Sequence, residues 1–146
     1  MEHLILRVIT KMFFAPIVLF ALYVQFHGDY GAGGGFQAGV IFAVAFILHA
    51  LCFGLDATRK ALPQGVLIVC MVIGVLFYAG TGVATMLLGG NLLSYDTLAP
   101  QSTHHAGQHW GIFLVELGVG IAVASTMLTI FYQFAGREPD IDDEDW

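Results

Sequence analysis

Charge is what this sequence has least of. Only 11% of its 146 residues are Asp, Glu, Lys or Arg, against about 25% in an ordinary soluble domain. A water-facing surface cannot be built from so few charges. That excludes a soluble enzyme, a nucleic-acid binder and a disordered linker. Cysteine is scarce too: Cys52 and Cys70 both lie in apolar stretches, so neither a disulfide framework nor a cysteine metal site is expected. No soluble domain, internal repeat or extended low-complexity run interrupts the chain. The formal charge of −6 is a local property, because six of the eleven acids occupy the last nine residues, from Glu138 to Asp145. The rest of the chain balances five acids against five bases.

What is abundant is apolar. Hydrophobic residues make up 58% of the chain, and the mean hydropathy is +0.79. A helix needs about 20 apolar residues to cross the hydrocarbon of a bilayer. Four stretches qualify, roughly 8–26, 36–55, 66–88 and 111–134. A spanning barrel would show short alternating segments instead. The expected fold is therefore an all-α integral membrane protein with four transmembrane helices. They form a single membrane domain over residues 1–136, followed by an acidic tail over 137–146, with Pro139 stopping the last helix. Arg7 and Lys11 before an apolar run also suit a signal peptide. No convincing small-residue cleavage site follows, however, and the run leads into further membrane segments.

Orientation follows from the bases. Arg7 and Lys11 precede the first span, Arg59 and Lys60 join the second and third, and Arg137 follows the fourth. The loops His27–Gly35 and Gly89–Trp110 hold no Lys or Arg. Bases accumulate on the cytoplasmic side, so both termini and the tail are expected to be cytoplasmic. Pro63 and Gly65 in the loop 56–65 predict a tight antiparallel hairpin of the second and third spans. The 22-residue loop from Gly89 to Trp110 is long for a mere connection.

Ahead of the second span runs a glycine-rich segment, His27 to Gly39. Gly31, Gly35, Gly39 and Ala43 recur at every fourth place, which on a helix makes a flat ridge for close backbone approach. Gly33, Gly34 and Gly35 permit a sharp turn. The N–H groups such a turn leaves unpaired could hold an anion or a carboxylate. It is no phosphate loop, since GxxxxGK[ST] is absent. Close packing is the structural reading of this segment, and a part in an ion or water path is the functional one. Gly80/Ala84, Gly118/Ala122 and Gly120/Ala124 repeat the small-xxx-small spacing, and so many seams suggest contact with other proteins.

Few polar residues lie inside the spans. Glu116 is the one acid well within them. Burying a charged side chain at mid-bilayer costs about 2.5–3.5 kcal/mol on insertion scales. An acid retained there points to a proton or cation route; the alternative is a hydrogen bond to a neighbouring helix. His109 precedes it by seven residues, two turns on the same face, so the two could form a protonatable pair. His49 in the second span is either an interhelical hydrogen bond or a relay. His105 and His109 have a spacing that can share a zinc on a helix, with His104 beside them. No HExxH and no clear third ligand accompany them, so a wettable, pH-sensing loop is the reading and no metal or cofactor is expected. Thr81, Thr85, Ser125, Thr126 and Thr129 can bond back to their own helices. Nothing pairs a nucleophile with an activating base, so catalysis is not expected.

With these residues in view the chain resembles the B subunits (MrpB or MnhB) of the multisubunit Mrp-type cation/proton antiporters. The family pattern G-[HN]-x-x-P-G-G-G-F-Q-[GA]-G is met by Gly33-Gly34-Gly35-Phe36-Gln37-Ala38-Gly39. The family's acidic-Leu-Gly-Val step is met by Glu116-Leu117-Gly118-Val119, and Thr81-Gly82-Val83 is a weaker third match. Ala32 stands where the family has proline, which removes a φ restraint, and Glu116 stands where many relatives carry Asp. The resemblance spans about residues 8–134. It implies a multi-pass protein of the cell membrane with no antiport activity of its own, assembled with other Mrp subunits that exchange sodium ions for protons. On this reading Gly31, Gly33, Gly34, Gly35, Gly39 and Gly118 pack helices, while Phe36 wedges a neighbour. Glu116, His49 and His109 are the ion-path candidates. A membrane subunit of a related ion-translocating hydrogenase, or a self-sufficient homo-oligomeric transporter, are the alternatives.

Overall fold

A computed structural model describes residues 4–28, 33–99 and 106–137. In chain order it contains α1 (Leu4–His27), α2 (Gly35–Phe53), α3 (Leu55–Ala61), α4 (Gln64–Leu87) and α5 (Ala106–Ala135), with a 3-10 turn at Tyr95–Leu98. All but α3 are long and apolar enough to cross a membrane. The spans read from hydropathy match these helices to within a few residues. The largest difference is at α5, which begins five residues before the expected Gly111 and so carries His109 on its first turns. At α2 the helix stops at Phe53, because Gly54 adopts a φ of +95° that residues with a Cβ avoid.

α5 lies at the centre. α2 packs on one side of it and α4 on the other, while α1 packs mainly on α2 and also touches α5. The expected hairpin of α2 and α4 is therefore not formed, and the two helices make no more than fringe contact. The reason lies in α5. Gly118 and Gly120 are two residues apart, so they point about 200° apart around the helix. A Cβ on Gly74 of α4 would come within 2.7 Å of the Gly118 carbonyl oxygen and 2.9 Å of the Ala122 Cβ. On the opposite side, a Cβ on Gly39 of α2 would meet the Gly120 carbonyl oxygen at 2.6 Å. Each glycine gives one neighbour a groove, and α3 bridges the gap this opens between α2 and α4.

The two ends of the bundle differ. Arg7 and Lys11 of α1 lie over the Phe53 ring at 5.8 and 5.5 Å, and Arg7 Nε donates to the Cys52 carbonyl. Arg59 of α3 donates to the Tyr132 carbonyl at 3.0 Å, while the Tyr132 hydroxyl donates to the Leu62 carbonyl at 3.1 Å. All five bases thus gather at one end, around the start of α1, the end of α2, α3 and the end of α5. Tyr132 also closes a small core with Ala43, Leu67 and Leu128. At the other end the 3-10 turn folds onto α5, where Gly107 and Gly111 leave room for Tyr95. The Thr85 hydroxyl accepts the Leu93 N–H and donates to the Gly82 carbonyl.

Inside the spans, several hydroxyl groups are satisfied within their own helix, whereas the Thr10 hydroxyl donates across to the Cys52 sulfur. Thr81, Ser125 and Thr129 donate to carbonyls three or four residues back, at 2.7 to 3.0 Å. This is the back-bonding that makes such residues cheap in lipid. Both cysteines are free thiols.

Candidate functional site

Where α5 passes the first turn of α2, two distant parts of the sequence meet. A Cβ on Gly35 would run into the Glu116 carbonyl oxygen, so only glycine lets the two backbones touch here. The Glu116 carboxylate then lies across the glycine turn. Its Oε2 is 3.0 Å from where a Cβ on Gly28 would stand, and its Oε1 is 3.4 Å from the same point on Gly34. The Gln37 amide oxygen is 3.5 Å from that Gly34 point. Gly34 has a φ of +137° and no side chain to cap α2. The first N–H groups of α2 have no intrahelical acceptor, and the carboxylate sits at the positive end of the helix dipole. The candidate site is this half-buried carboxylate framed by Gly28, Gly34, Gly35 and Gln37.

The other candidates are spread through the molecule. His109 is exposed beside Trp110, and seven residues along α5 put it about 10 Å from Glu116. His49 lies toward the opposite end of α2, fourteen residues from Gly35, or about 21 Å. Its Nδ1 is 2.8 Å from the Thr58 hydroxyl, which itself donates to the Gly54 carbonyl. Which of the two groups donates depends on the histidine tautomer. The ring stacks on Phe53 and meets the edge of Phe14. The structure thus brings Glu116 together with the glycine turn, and leaves both histidines apart from it. Gly31, His104 and His105 lie outside the described residues.

Among the described residues the glycine seams face this chain's own helices. Gly39 packs on Gly120 and Val123, Gly118 on Gly74 and Tyr78, and Gly33 on the Val24 carbonyl, all within this chain. These seams pack the subunit's own helices together. Two features remain turned outward: Gly80 has open space around it, and Phe36 is exposed at the head of α2.

Sequence reasoning passed over Gln25. It is buried to 7% exposure on α1, its amide oxygen against Gly120. Among the described residues its amide nitrogen has no hydrogen-bond partner. The signal was available, since it is an uncharged polar residue inside an otherwise apolar run. Gly28 was missed as well, because it stands ahead of the four-residue repeat.

Residues 5–129 match the family described as a domain related to the MnhB subunit of Na+/H+ antiporter. The chain is also similar to curated proteins that carry the antiporter-subunit name mnhB2 in Staphylococcus aureus strains Newman, JH1 and COL. Identity to each is 34% over 139 residues, covering 92% of this chain and 96% of the relative. Similarity over nearly the full length of both partners, on four helices long and apolar enough to cross a membrane, leads to one conclusion: the chain belongs to the MnhB family of antiporter membrane subunits.

Proposed function

We propose that this chain is a membrane subunit of an Mrp-type antiporter in the cell membrane, exchanging sodium ions for protons in company with other subunits. Both of its termini face the cytoplasm, because all five Lys and Arg residues gather at one end of the bundle. The Glu116 end then faces outward. The observation that carries the functional reading is the placement of Glu116 across the glycine turn. A protonatable group retained in a span, held by the segment that matches the family pattern, is material for a proton or cation route. Gly33, Gly34 and Gly35 keep the backbone low enough for the carboxylate to reach the turn. His109 stands at the outward mouth, two turns from Glu116, while His49 ties α2 to α3. The acidic tail, 137–146, is assigned to the cytoplasmic side with the C-terminus.

A transporter of this kind needs its partners. A single acid well inside the spans is poor material for a coupled exchange cycle. The test compares everted membrane vesicles that hold the whole complex with vesicles lacking this chain. Sodium-driven proton movement is expected only in the first, and purified chain in liposomes is expected to show none. Sodium/proton exchange by the chain alone would refute the reading.

A further inference from the structure

Between α1 and α4 the bundle leaves a groove of about 300 Å3, floored by α5 and walled on one side by α2. Its lining includes Ala21, Ala38, Gly39, Gly120 and Ala124, which are buried in this chain's own seams, beside the more open Leu22 and Phe42. Along α5 it runs from Leu117 to Leu128, three turns or about 16 Å. One polar group with an unmet bond belongs to this lining. Gln25 is 7% exposed, and among the described residues nothing pairs with its amide nitrogen. A buried amide N–H left without an acceptor is costly.

We propose that the groove seats a transmembrane helix from another subunit of the antiporter, and that Gln25 hydrogen-bonds to it. The inference rests on the reading of this chain as a subunit of such a complex. An acyl chain has no acceptor and would leave the Gln25 nitrogen as it stands. A helix brings a carbonyl, hydroxyl or carboxamide that can accept the Gln25 N–H. The last torsion of Gln25 is soft, so its N–H can turn to an occupant without moving α1. A second copy meeting through the same face would join two concave surfaces and fill neither.

The test uses the intact complex, with a photo-crosslinking residue in place of Leu22, which is 43% exposed and lines the groove. Illumination is expected to join this chain to a different antiporter subunit, identified by mass spectrometry. Adducts confined to lipid, or to a second copy of this chain, would overturn the proposal. Should the Leu22 variant fail to accumulate, the same label at Phe42 gives the same decision. Gln25→Leu keeps the length and removes the amide. It is expected to lower recovery of the partner subunits at least fivefold, with the chain's own level in the membrane unchanged; undiminished recovery contradicts the role of Gln25. If the unaltered chain recovers no antiporter subunit, the proposed function itself falls. If it does recover them and the label finds only lipid, the groove proposal alone falls.

Discussion

Glu116 shows how much a side chain's meaning depends on what lies under it. On sequence alone it is an isolated acid in a span; in the fold it rests on a surface stripped of Cβ atoms. Glu116→Ala is expected to reduce sodium/proton exchange at least tenfold in an assembled complex, while Glu116→Asp, which keeps the carboxylate, retains most of it. Vesicle transport measured beside native-gel assembly separates the two effects, and full activity in the alanine variant would make the carboxylate a packing group. Gly34 is constrained differently, through its φ of +137°. Gly34→Ala should cost about 1–3 kcal/mol of backbone strain, seen as lower thermal stability of the chain in detergent. Gly39→Leu is expected to destabilise by about 1–3 kcal/mol or more through overpacking, because its Cβ would enter the Gly120 carbonyl. Loss should appear in the isolated chain, before any partner is involved.

Among the elements, α5 decides the arrangement. Its opposed glycines let α2 and α4 lie on either side, so a side chain at one position should disturb one contact. Gly118→Leu is expected to loosen α4 and speed proteolysis of the 64–87 segment, leaving α2 protected. Equal loss of protection on both helices would show that the seams are not independent. At the basic end, α3 is strapped to α5 through Arg59 and Tyr132. Tyr132→Phe removes one of these bonds and should cost about 1 kcal/mol, read as a lower unfolding midpoint. The hairpin expected of α2 and α4 rested on loop length and turn residues alone. Those set how far apart two helices can stand, and nothing in them reveals that a third helix intervenes.

Over the whole molecule, apolar faces of α1 and α4 remain exposed, as a bilayer or partner helices require. A reporter fused after Trp146 should read as cytoplasmic, on the same side as a tag placed in α3. An external signal from either would reverse the assigned orientation. The complex extracted in mild detergent should run as an assembly of different chains, not as a multiple of 15.8 kDa.

The four spans, the gathering of bases and the family pattern were all legible in the chain itself. Each depends on local composition: about 20 apolar residues make a span whatever they pack against, and a motif is a run of neighbours. Tertiary structure alone decided which helices touch, that Gly35 carries the backbone of Glu116, and that Gln25 reaches Gly120. Those contacts join residues far apart in the chain. They depend on where each helix crosses its neighbour and how it is rotated, and in a chain apolar on every face hydropathy carries no record of either.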